Sequence, residues 1–89
     1  MQIEEILQEI IRICVNNSAT KVILFGSRAK GTALERSDID IAVCGTKDIE
    51  KLREELEDIP TLYTIDVVDM DECRNELLLE DIKQYGRKI

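Results

Sequence analysis

Histidine and tryptophan are absent from the 89-residue sequence, proline occurs once, and the aromatic side chains are Phe25, Tyr63 and Tyr85 alone. So few rings give no legible pocket for a nucleotide base, and each of them can pack in an ordinary core. Cys14, Cys44 and Cys73 are about thirty residues apart with no Cys-x-x-Cys pair. That spacing excludes a zinc ribbon or a disulfide framework and reads as reduced packing residues in a cytoplasmic protein. No apolar run of membrane length, signal peptide, repeat or low-complexity tract is visible. Positive charge is also scarce, with 12 Lys and Arg against 19 Asp and Glu and a net charge of −7. An extended nucleic-acid footprint needs clustered cations and is not expected here, whereas one small anionic ligand remains compatible.

What is present is concentrated between Gly26 and Asp40: Gly-Ser-Arg-Ala-Lys-Gly-Thr-Ala-Leu-Glu-Arg-Ser-Asp-Ile-Asp. Apolar, β-branched stretches flank it, Lys21 to Phe25 before and Ile39 to Val43 across its end, and both read as strands. With a side-chain period of two, Asp38 and Asp40 project from one face while Ile39, Ile41 and Val43 project from the other toward a core. Two carboxylates on one side repel each other. With no histidine available and no basic residue immediately flanking them, the counterion expected is a hard divalent cation, magnesium, completed by substrate phosphate. Taken alone, the pair also fits two solvated aspartates on an exposed sheet face. The Gly-Ser pair shifts the reading toward a ligand: Gly26 and Gly31 allow close backbone approach, Ser27 can cap a short helix suited to phosphate, and Arg28, Lys30 and Arg36 add local positive charge.

The rest of the chain reads as scaffold, one domain over residues 1–89. Ile3, Ile6, Leu7, Ile10, Ile11 and Cys14 recur at helical steps and predict an amphipathic helix ending near Asn16-Asn17. Thr46 is the expected cap of a second helix with Ile49, Leu52 and Leu56 inward, Glu50, Glu54, Glu55 and Glu57 outward, and Pro60 preventing extension. A last helix is predicted from about Asp71 to Tyr85, with Cys73, Leu77, Leu78 and Ile82 on its apolar stripe, Leu79 off it, and Gly86 as its stop. The order α-β-α-β-α-β-α gives an α/β fold with a small mixed three-stranded sheet flanked by helices. Its first two strands are expected antiparallel, because too few residues separate them for a crossover; the helix between the second and third permits a parallel pair.

Gly26-Ser27, the ten-residue spacer and Asp38-x-Asp40 resemble the signature of the nucleotidyltransferase superfamily that includes DNA polymerase beta. More narrowly, Gly-Ser-Arg-Ala-Lys-Gly and Ser-Asp-Ile-Asp-Ile-Ala-Val resemble the minimal nucleotidyltransferases encoded beside helical HEPN proteins, and the likeness spans nearly the whole chain. The resemblance implies the nucleotidyltransferase fold, two Mg²⁺ ions, ATP as donor, and nucleotide binding by Gly26, Ser27, Arg28, Lys30, Gly31 and Ser37. It also implies a third catalytic carboxylate from a later strand, for which Asp66 and Asp69 are candidates. Asp66 lies between Ile65 and Val67, where a charge needs a reason; Asp69 precedes Glu72 at capping-box spacing and so has a structural role available. Asp38, Asp40 and Asp66 are therefore expected to be the metal-binding and catalytic set. The implied activity is transfer of AMP to a hydroxyl, a tyrosine of a HEPN ribonuclease toxin, which makes the protein the toxin's antitoxin. Two other functions are compatible with the same residues: an antitoxin acting by binding alone, and a small-molecule nucleotidyltransferase that completes its acceptor pocket as a dimer.

Overall fold

The computed structural model describes residues 2–26 and 38–89; the readings made for Ser27, Arg28, Lys30, Gly31, Arg36 and Ser37, and for the short motif helix, lie outside them. The described elements are α1 (Ile3–Asn16), β1 (Lys21–Phe25), β2 (Ile39–Cys44), α2 (Ile49–Glu57), β3 (Ile65–Asp69), α3 (Glu76–Tyr85) and β4 (Arg87–Lys88). They build one mixed sheet in the order β3-β2-β1-β4. As expected from their short connection, β1 runs antiparallel to β2, and β2 runs parallel to β3 across the α2 crossover that permits it.

The fourth strand corrects the three-stranded expectation. β4 lies antiparallel to β1, and the Ile89 amide donates to the Val22 carbonyl at 3.0 Å. Gly86 makes this possible by close packing: a Cβ there would collide with the Ile82 carbonyl oxygen and with Ile23 Cγ2. Two residues are too few for strand periodicity to appear in a sequence.

Helices cover both faces of the sheet. On one, Ile6, Ile10, Ile13 and Cys14 of α1 and Leu52 and Leu56 of α2 pack on Val22, Leu24, Ile39, Ile41 and Val43. Each such aliphatic side chain contributes about 1.5–3 kcal/mol on full burial. On the other face Ile82 of α3 closes a smaller core with Phe25 and Ala42. Asn17 joins the two helices of the larger core, its Nδ2 donating to the Ile13 carbonyl at 2.8 Å and to Glu55 Oε2 at 3.2 Å. Glu55 is consequently half-buried, not part of the outward charge run.

The helix starts differ from expectation because short polar residues near them compete for the cap. Asp48, not Thr46, caps α2 by accepting from the Lys51 amide at 3.1 Å. α3 begins at Glu76, five residues after Asp71, with Asn75 Oδ1 accepting from the Leu78 amide at 3.1 Å. With Cys73 outside the helix, Leu78 and Ile82 are its contacts with the smaller core, and Leu77 is 84% exposed whereas Leu79 is half-buried. Among the described residues no helix is long and apolar enough to cross a membrane.

Candidate active site

Alternation along β2 sends Ile39, Ile41 and Val43 into the larger core, so Asp40 shares the opposite face with the buried Ala42. Asp38 immediately precedes the strand and is exposed. In the parallel ladder Asp40 is registered with Asp66 and Ala42 with Val68. Strands so paired lie about 4.8 Å apart with registered side chains on one face, so Asp66 stands beside Asp40. Asp69, three residues further on, falls on the opposite side of β3. Its Oδ1 accepts from the Asp71 amide at 3.0 Å and its carbonyl from Glu72 and Cys73, so it shapes the turn after β3 and does not cap α3.

Partial burial raises the Asp40 carboxyl above its ordinary pKa, and the negative charges of Asp66 and then Asp38 push it further in the same direction. Among the described residues no lysine or arginine forms an ion pair with these three aspartates; Arg12–Glu9 and Arg53–Glu50 pair elsewhere. The acidic cluster is therefore a place where added positive charge is favoured.

Gly26 connects the Gly-Ser motif to this cluster. It follows Phe25, which is registered with Asp40 across the β1–β2 pair. Its φ of +75° disfavours an L side chain, and a Cβ would strike Asp40 Oδ2 and approach Cγ to 3.2 Å. The chain thus leaves β1 in contact with the Asp40 carboxylate. The sequence showed that Gly26 could approach a ligand, but the contact with Asp40 is a tertiary pairing invisible to it.

The donor set is composed of carboxylate oxygens, the chemistry that suits magnesium. Among the described residues no three His, Cys, Asp or Glu side chains stand close enough to hold an ion by themselves. Magnesium usually binds one or two carboxylates and keeps water and substrate phosphate as its other ligands, so the aspartates fit a site that a nucleotide completes.

A mixed sheet with an acidic pair on adjacent strands and a positive-φ glycine, Gly26, against that pair fits the architecture of a nucleotidyltransferase domain. Residues 8–89 match the family model described as polymerase beta, nucleotidyltransferase, and the chain belongs to that family. Within it, individual relatives support the minimal type. A protein of Methanocaldococcus jannaschii named "putative protein adenylyltransferase" is 31% identical over 90 residues, covering 98% of this chain and 51% of its own length. The chain therefore spans about half of that relative. A toxin–antitoxin crystal structure with AMP-PNP superposes with a TM-score of 0.68 and 27% identity over 91% of this chain and 69% of the other. A mutant of the MntA–HpeT toxin–antitoxin gives a TM-score of 0.67 with 25% identity over 91% and 69% of the two chains.

Proposed function

We propose that the protein transfers AMP from ATP to a tyrosine hydroxyl of a HEPN-type ribonuclease toxin and thereby acts as its antitoxin. The observation that carries this reading is the registered Asp40–Asp66 pair with Asp38 beside it, at the exit of the Gly26 turn. The relative named for protein adenylylation and the toxin–antitoxin structure with AMP-PNP support ATP as donor and a toxin as acceptor.

Asp38, Asp40 and Asp66 would hold magnesium, which when bound supplies charge neutralisation and polarisation of the reacting phosphate. Gly26 leads the chain past Asp40 into Ser27, Arg28, Lys30, Gly31 and Ser37, the proposed holders of the triphosphate. Asp66 is exposed on an end strand of the sheet, where it can accept the acceptor's hydroxyl proton. As the acceptor oxygen bonds to the α-phosphorus, the bond to the β-phosphate breaks and pyrophosphate leaves with that electron pair.

Intact-mass spectrometry of the toxin, incubated with this protein, magnesium and each nucleoside triphosphate in turn, tests the proposal. ATP is expected to add adenylyl groups to the toxin, and Asp40→Asn to abolish the addition. An unmodified toxin in the presence of folded, magnesium-replete protein would contradict it. Neutralisation that survives alanine at Asp38, Asp40 and Asp66 would indicate inhibition by binding alone.

A further inference from the structure

β3 closes one side of the sheet, and among the described residues no strand pairs with its outer edge. The direction of its backbone groups follows from the ladder. Ile39 N–H donates to the Thr64 carbonyl at 2.8 Å and Met70 N–H to the Val43 carbonyl at 2.9 Å. In an evenly spaced parallel ladder the even-numbered residues from Thr64 to Met70 therefore serve β2, and Ile65, Val67 and Asp69 direct their N–H and C=O groups outward. The contact of Arg53 agrees, its Nη2 donating to the Val67 carbonyl at 3.2 Å. The Asp69 carbonyl is taken by its own turn. Both groups of Ile65 and the amide of Val67 thus form a short template for another extended backbone.

Two grooves of about 290 and about 320 Å³ run beside this edge and share Leu56, Glu57, Ile65 and Asp66 as walls. Their charged lining is Glu57, Asp66 and Arg53, and Arg53 is already engaged by Glu50 at 3.0 Å. The groove is therefore acidic toward an incoming chain. Leu62, 96% exposed on the loop entering β3, offers an apolar contact near its mouth.

We infer that the β3 edge is the acceptor-docking surface. An extended segment of the acceptor protein carrying lysine or arginine adds alongside β3, hydrogen-bonded to Ile65 and Val67, with its cations against Glu57. Its reacting side chain then reaches the face on which Asp66 lies. The need for an acceptor at Asp66 rests on the transferase reading; the open edge and its charge do not.

The test titrates ¹⁵N-labelled protein with the peptide Lys-Val-Lys-Tyr-Lys-Val-Lys and with its counterpart in which every lysine is glutamate. Expected are shift changes and slowed hydrogen exchange at Ile65 and Val67 with the lysine peptide, and binding weaker by about tenfold or more for the glutamate peptide. Glu57→Lys, an exposed change on α2, is expected to weaken the lysine peptide by a similar factor. Val67→Pro removes an outward amide while leaving the β2 ladder intact, and should abolish the protection at Ile65. Equal response to both peptides, or perturbation confined to another surface, overturns the proposal. Protection of Ile65 and Val67 without any transfer to the toxin leaves docking intact and removes the transferase reading. Transfer at an unchanged rate by both folded Val67→Pro and Glu57→Lys proteins removes docking alone.

Discussion

Asp40 and Asp66 occupy registered positions on the parallel strands β2 and β3, two carboxylates side by side on one face of the sheet. Like charges opposite one another destabilise a sheet, and here the raised carboxyl of Asp40 records the strain, through burial first and through Asp66 and Asp38 next. The pair is poorly suited to holding the fold together and well suited to binding a cation.

Metal-free protein is accordingly expected to gain stability from Asp40→Asn, by about 0.5–1 kcal/mol at neutral pH, the scale of a solvent-screened charge pair. The sign follows from the raised folded pKa: the stabilising contribution is present when both states are protonated and is lost as pH rises through the folded value. The advantage of asparagine should therefore vanish below about pH 4. Magnesium should stabilise the natural protein and not the variant. Urea unfolding at several pH values, with and without magnesium, measures all three effects.

Gly26→Ala combines a left-handed backbone with a side chain aimed into the Asp40 carboxylate. A loss of about 2 kcal/mol or more in thermal or denaturant unfolding is expected, of which about 1–2 kcal/mol comes from the backbone conformation alone. Nucleotide binding should fall as well, since Asp40 must move to make room.

Cys14 is fully buried on the sheet-facing side of α1, and that burial pushes its thiol up to about 11. Cys73, half-buried, should react first with a thiol reagent at pH 8; Cys44 should follow, its thiol raised by burial and by Asp71, and Cys14 should react only on unfolding. Because the folded pKa lies above the unfolded one, stability should decline as pH rises from about 9 toward 11, where the unfolded chain ionises first. Replacing Cys14 with alanine should flatten that decline.

The helix caps make a sharp comparison. Asp48→Ala and Asn75→Ala should each cost about 1 kcal/mol, because each removes a carbonyl or carboxylate oxygen that accepts from a first-turn amide. Thr46→Val should cost little or nothing, since the buried Thr46 hydroxyl has no partner among the described residues. Denaturant midpoints of the three variants decide it.

That comparison also shows where the sequence stopped being legible. Long periodic signals read correctly: the isoleucines of α1, the alternation of β2, and α2 as the crossover that permits β2 and β3 to run parallel. That Asp66 and Asp69 face opposite ways follows from the same period of two, whereas the register that sets Asp66 beside Asp40 is a tertiary pairing. Local polar chemistry was ambiguous, because Thr46 and Asp48 can both cap and Asp69 and Asn75 compete six residues apart. Leu79 in place of Leu77 at the packed face reflects how α3 docks through Leu78 and Ile82, a tertiary fact. β4 and the contact of Gly26 with Asp40 depend on residues distant in sequence, which no local pattern reports.

Magnesium-dependent binding of a non-hydrolysable ATP analogue, followed by titration calorimetry on the protein and on Asp38→Asn and Asp40→Asn, tests the acidic cluster most directly. Saturable binding of one nucleotide per chain is predicted, lost on chelation of magnesium and in both variants while they remain folded. Binding of equal strength with and without magnesium, and unchanged in both variants, would contradict it.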